Sequence, residues 1–189
     1  MTYADELRAR FRHAPVGPPQ PPWRPLVAAP TAVAVGGLLG VGFATHPGDG
    51  VDLLLVASSQ GRGLFDGATG ERVARDPDPD FDYPDGQDLC CTGIGILAGV
   101  RVPLAGLFGG GLHRVTPDGW MLDIVTPDWP AERVVLSAPS QDPFGEPDRG
   151  GWQVIHDETV CELRAVGFSP TGTTLVIASS CDFIMFTRA

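Results

Sequence analysis

The sequence predicts a mostly β protein built from repeated antiparallel units, with one short helix at its N-terminus. Three observations carry this. Two stretches far apart in the chain repeat one another: Val41-Gly42-Phe43 and Leu54-Leu55-Val56-Ala57-Ser58-Ser59 return as Val166-Gly167-Phe168 and Leu175-Val176-Ile177-Ala178-Ser179-Ser180. The 189 residues include 25 Gly and 19 Pro with no collagen period. Apolar runs of strand length lie between them, a pattern of many short strands joined by turns rather than of disorder. Helical periodicity is confined to residues 2 to 12.

In that helix Thr2 is the expected cap, Asp5 and Glu6 sit in the first turn, and Arg8, Arg10 and Arg12 lie toward the end, matching the dipole at both ends. Tyr3, Leu7 and Phe11 form one narrow apolar stripe, expected to dock on the protein's own surface. Residues 14 to 25 are dense in proline and should form an extended strap. Helix and strap make up residues 1–25, and residues 26–189 are expected to be a single β domain. A chain of this length buries about 70% of its unfolded surface. The uncharged stretch from Leu26 to Phe43 reaches the ~17 to 20 residues of a membrane span. Pro30 interrupts it and Gly36, Gly37, Gly40 and Gly42 dilute it, so two strands around Gly36-Gly37 are expected instead.

The last unit parses into three strands. Leu163 to Phe168 leads into Ser169-Pro170-Thr171-Gly172, which suits a type I turn. Leu175 to Ala178 is an unbroken apolar run, as in a strand covered on both faces, and Phe183 to Phe186 is the third strand. In the first unit Phe65 matches Phe186, and Asp66 to Glu71 turns into a fourth strand through Val73. A fainter middle unit runs through Val102 to Phe108, Leu112 to Val115, the turn Thr116-Pro117-Asp118-Gly119, and Trp120 to Val125. Phe43 and Phe168 are expected to be equivalent core residues. The last unit would leave Asp182 to Thr187 as an open edge, and exposed edges need covering. Pro25 to Ala29 is expected to pair there, because proline is tolerated at edges. Removing residues 1 to 30 should then expose the last strand, whereas removing 1 to 20 should be tolerated.

The series VGFSPTG, TLVIASS and FDGATGE resembles a blade of a WD40-like β-propeller. The resemblance covers most of residues 26 to 189 and is tight in the first and last copies. Phe65-Asp66 stands where a Trp-Asp pair would close the third strand. The chain as a whole is similar to small bacterial proteins, which implies no particular function. The resemblance implies a small propeller-like arrangement. A propeller has at least ~4 blades and three units are legible, so a sandwich, a barrel, or a homodimer completing a ring stay open.

There is no Lys and no Asn, and all 13 basic residues are Arg, the composition of a high-GC bacterial genome. A formal charge of −10 argues against nucleic acid, which needs clustered cations, and against anionic membrane surfaces, and favours a basic protein partner. The four cysteines form no disulfide framework: Cys90 and Cys91 are adjacent, Cys161 and Cys181 stand alone. With no signal peptide, reduced thiols and a cytoplasmic location are expected.

Asp76, Asp78, Asp80, Asp82, Asp85 and Asp88 alternate with prolines. A calcium loop would want Gly at its sixth position and Glu at its twelfth, and neither occurs. The stretch is expected to be a solvated loop, mobile and dispensable for folding, and a candidate contact for a basic partner. Trp129, Phe144 and Trp152 flank the loop Ser137 to Gly151 and form a candidate aromatic patch or the rim of the core. No G-x-S-x-G, phosphate loop or H-E-x-x-H occurs, and Gly106 to Gly111 marks a bulge or a close approach of strands. The expected function is a non-enzymatic protein-interaction module of a bacterial cytosol without a cofactor. Its specific form is an immunity- or antitoxin-type inhibitor of a basic partner. The competing reading is a small metal-dependent hydrolase drawing on Asp52, Asp123, Asp157 and His113 in a propeller channel.

Overall fold

A computed structural model describes residues 2–26, 32–84, 87–145 and 150–188. Strands dominate, all pairing within sheets is antiparallel, and the one α-helix is α1 (Tyr3–His13). A first sheet grows hairpin by hairpin from β3 (Leu38–Thr45) through β4 (Asp52–Ser58) and β5 (Gly61–Asp66) to β6 (Arg72–Asp76). A last sheet repeats that order with β13 (Leu163–Phe168), β14 (Thr174–Ser179) and β15 (Asp182–Thr187). Its fourth strand is β1 (Arg24–Pro25), with β2 (Val33–Ala34) also paired to β15. Between them in sequence are the ribbon β7 (Cys90–Thr92) and β8 (Arg101–Pro103), then β9 (Ala105–Gly106) beside β3. A middle sheet follows, formed by β10 (Met121–Asp128), β11 (Ala131–Ser137) and β12 (Trp152–Glu158).

The first and last sheets agree residue by residue. Phe43 faces Leu54 and Gly42 faces Leu55; Phe168 faces Leu175 and Gly167 faces Val176. Both hairpins slip by a residue at the matching place, between Leu38 and Gly40 and between Leu163 and Ala165. The next pairing matches too, Leu54 opposite Phe65 and Leu175 opposite Phe186. Both phenylalanines are buried, Phe43 at 8% and Phe168 at 0% exposure. A side chain at Gly42 would strike the Pro103 carbonyl, and one at Gly167 would strike Leu112 and the His113 carbonyl. Both positions need glycine because another segment crosses the innermost strand there.

Alternating residues on each strand send apolar side chains to both faces, and the sheets stack to bury them. Val41, Phe43, Leu54 and Val56 of the first sheet pack on Val176, Ala178 and Phe183 of the last. On the last sheet the equivalent residues Val166, Phe168, Leu175 and Ile177 pack on Leu122, Val134 and Leu136 of the middle one. The same face therefore meets the next sheet each time, head to tail. The chain covers both ends of this stack itself. Phe81, Cys91, Ile94 and Val102 cover Leu53 and Leu55 of the first sheet, and Phe11 of α1 covers Val135 and Val154 of the middle one.

The helix forms where its capping signals stand. Thr2 Oγ1 accepts from the Asp5 amide at 3.2 Å, and the Asp5 carboxylate accepts in return from the Thr2 amide at 2.9 Å. Arg133 ties the other end down, donating to the carbonyls of Phe11 (2.6 Å) and Ala14 (2.9 Å). The edge of β15 is covered as its composition demands, Pro25 standing opposite Phe186 and Arg24 opposite Thr187. Of the segment expected there, residues 27–29 lie outside the described residues. Val33 and Ala34 then pair with Phe183 and Asp182. Trp23, 2% exposed, fills the core beside Phe168 at 5.3 Å between ring centres.

Two expectations are corrected. The strands around Gly36-Gly37 do not pair with each other, since β2 joins the last sheet and β3 the first. The middle unit is displaced: residues 102–108 divide between β8 and β9, which serve the ribbon and the first sheet. Val115 only bridges Met121, and β11 and β12 complete the middle sheet. The helix docks on the protein's own surface, as expected. Beside the covering by Phe11, Val16 bridges Val154, so their removal would uncover the middle sheet.

Candidate functional site

The Asp-rich stretch is the first place to look for a partner surface, and it proves to be tied into the fold. Phe81 is 7% exposed in the core that covers the first sheet, stacked on Tyr83 at 4.3 Å and under the Arg62 guanidinium at 5.0 Å. Asp76 pairs with Arg62 at 2.5 Å. Asp82 accepts from Thr92 Oγ1 at 2.8 Å and pairs with Arg101, which also holds Asp88. Burial pushes the Asp82 carboxyl up, but the bonds from Thr92 and Arg101 outweigh it and hold it below the usual carboxylate range. Arg62 holds Asp76 low, and bonds from Cys90 and Arg101 hold Asp88 low. Asp78 and Asp80 are exposed, and Asp78 only accepts from the Asp80 amide at 2.9 Å. Asp85 lies outside the described residues. The expectation of a mobile acidic loop is therefore corrected: arginines from β5 and β8 neutralise much of it, and Asp78 and Asp80 make no ion pair among the described residues.

The three aromatic candidates also separate. Phe144 and Trp152 both meet Phe11, at 5.4 and 5.6 Å between ring centres, and belong to the joint under α1. Tyr3 reinforces that joint by donating to the Phe144 carbonyl at 2.5 Å. Trp129 makes no such ring contact among the described residues and is 82% exposed at the tip of the β10–β11 hairpin.

Trp129 has a neighbour that no sequence pattern singles out. Val160, 91% exposed in the β12–β13 turn, lines with it a groove of about 420 Å³ whose walls include Pro130, Glu132, Cys161 and Glu162. That turn is fixed twice. The Glu158 carboxylate accepts from the amides of Val160 (3.0 Å) and Cys161 (2.7 Å). These bonds, with a weaker one from His156, outweigh the effect of burial and hold Glu158 below its usual range. A disulfide joins Cys161 to Cys181, which corrects the expectation of four reduced thiols; Cys90 and Cys91 are free. The signal for it was present: Leu163 stands opposite Ser179, so two residues further out on each side stand Cys161 and Cys181.

The positions considered for a metal lie in separate settings. Asp52 accepts from the hydroxyls of Thr171 and Thr173 between first and last sheets, and Asp157 pairs with Arg133 at 2.9 Å. Burial pushes the Asp123 carboxyl up, and His113 uses its carbonyl to bridge Phe168. No three His, Cys, Asp or Glu converge as metal ligands among the described residues. No described helix is long and apolar enough to cross a membrane. The chain matches no protein-family model, no curated protein and no solved structure.

Proposed function

We propose that the protein is a non-enzymatic interaction module of propeller-like build that grips a basic partner in the groove between Trp129 and Val160. The observation that carries this is the exposure of those two apolar side chains, 82% and 91%, on a turn and hairpin that are otherwise firmly held. A large exposed aromatic beside a groove is the usual anchor of an interface, since it buries much area at little cost in side-chain entropy. Glu132 and Glu162 on the rim, and a net charge of −10, favour a partner carrying Lys or Arg around an apolar residue. An immunity- or antitoxin-type inhibitor of a basic toxin is the specific form of this reading. The reading holds in a bacterial cytosol or outside it: an exposed disulfide persists where thiols are oxidised and opens where they are reduced.

The test is a peptide array of Arg-rich segments bearing one aliphatic or aromatic residue, probed with the wild-type protein and with a Trp129→Ser, Val160→Asp double variant. Selective binding that weakens with salt, and falls at least about tenfold in the variant, supports the reading. Equal binding by both proteins, or a preference for acidic peptides, overturns it.

A further inference from the structure

Where β13 passes the glycine-rich segment after β9 there is a cavity of about 110 Å³, walled by Gly110, Gly111, Arg114, Glu132, Leu163 and Arg164. Its walls carry the Glu132 carboxylate and one buried donor without an acceptor, the Nε of Arg164. The Arg164 side chain is only 12% exposed; its Nη1 holds Glu162 at 2.8 Å, while its Nε is buried with no hydrogen-bond partner. The Arg114 side chain makes no hydrogen bond or ion pair among the described residues, with Asp123 acting on it only at longer range. The amides of Gly110 and Gly111 donate to no backbone carbonyl among the described residues.

Acidic residues outnumber basic ones, 23 to 13, and Arg12, Arg62, Arg101, Arg133 and Arg188 each hold a carboxylate. Arg164 holds a carboxylate too, through Nη1, but its buried Nε is left without an acceptor, and the exposed Arg114 lines the same cavity. Buried donors without partners cost free energy unless something satisfies them. A guanidinium is matched best by a planar carboxylate, which can take two parallel N–H bonds.

We propose that this cavity binds the carboxylate group of a small amino-carboxylate ligand. Arg114 and the free edge of Arg164 take the carboxylate, with the Gly110 and Gly111 amides beside them. Glu132, partly buried on the wall and with no side-chain hydrogen-bond partner among the described residues, takes the amine. The volume equals that of about four waters, room for a carboxylate, an amine and the carbon between them. The site adjoins the partner groove, and Glu132 and Leu163 line both.

Titration calorimetry with glycine, acetate and inorganic phosphate at constant ionic strength tests it on the wild-type protein and on Arg114→Gln, Arg164→Gln and Glu132→Gln. The expected order is glycine tighter than acetate, and acetate tighter than phosphate. Arg114→Gln, at an exposed position, should keep its thermal transition and lose at least about tenfold in glycine affinity, as befits one charge-assisted pair. A folded Arg164→Gln should lose as much. Glu132→Gln should remove the preference for glycine over acetate. Absence of saturable glycine binding at millimolar concentration, phosphate binding tighter than both, or unchanged affinity in Arg114→Gln would each overturn the assignment. Should the half-buried Arg164→Gln fail to fold, Arg114→Gln alone decides.

Discussion

The first and last sheets share one register, one slip and one pair of buried phenylalanines, yet they are completed in different ways. The first takes its fourth strand from the next hairpin, β6, a few residues along the chain. The last takes its own from the opposite end of the sequence, through Arg24 and Pro25. The difference separates two kinds of instruction. Alternation of side chains and turn chemistry specify which residues face each other within a hairpin. Closing the final sheet depends on a segment with no repeat character at all, a proline-rich strap carrying one buried tryptophan.

The largest effect should come from removing what only the last sheet borrows. A chain lacking residues 1–26 loses β1, Leu26 and Trp23, and leaves the outer edge of β15 open at Phe186 and Thr187 while β2 still covers Asp182 and Phe183, so it should be multimeric or insoluble by light scattering. A chain lacking residues 1–20 keeps Trp23 and β1, and should remain monomeric with a lowered melting temperature because Val135 and Val154 are uncovered. A monomeric, stable 27–189 chain would show that the two sheets do not differ in their need for a fourth strand.

The next test concerns what the sheets share. Phe43→Ala and Phe168→Ala should each cost about 3–5 kcal/mol in denaturant unfolding, through lost burial and the cavity left behind. Phe168 should cost more, since it is fully buried against Trp23 while Phe43 keeps 8% exposure. A larger loss at Phe43 would mean that the borrowed tryptophan adds nothing to the last sheet's core.

The smallest effects distinguish the covering of the first sheet from its free surface. Asp82→Ser should cost about 1 kcal/mol, because Thr92 and Arg101 lose their acceptor. Asp78→Ser with Asp80→Ser should stay within ~0.5 kcal/mol. The pH profile sharpens this. Asp76, Asp82 and Asp88 titrate below their ordinary value in the folded protein. Their stabilisation is therefore full above about pH 4, the unfolded carboxylate range, and drains away as pH falls through the lower folded values. Asp82→Ser should make stability fall less steeply on the acid side. An acid limb identical to wild type would remove Asp82 from the clamp.

How far these features could be seen in the residues depends on the range of the interaction. The helix, the two outer hairpins and the pairing of Pro25 with the last strand follow from local signals: a capping Thr, turn prolines and glycines, and an apolar edge that needed cover. β11 and β12 escape a reading of the residues because Ala131 to Arg133 and Trp152 to Gln153 are half-exposed and interrupt the apolar alternation, and a long polar loop parts the strands. The acidic stretch misleads because its partners, Arg62 and Arg101, come from other strands, and no local pattern shows that a charge run is neutralised from a distance. The groove at Trp129 is half visible: the tryptophan stands out among its neighbours, but Val160 meets it only through the fold.

The pairing of Pro25 with Phe186 also sets a timetable. The strap leaves the ribosome about 160 residues before its partner strand, which at about 5–20 residues per second is roughly 8–30 s. Throughout that interval Trp23 has no pocket and β1 no neighbour. The first sheet, whose pairings are all near in sequence apart from β9, can form early and wait. Final closure is then a single late docking event, and until it happens the newborn chain presents an apolar tryptophan and an unpaired edge to whatever surrounds it.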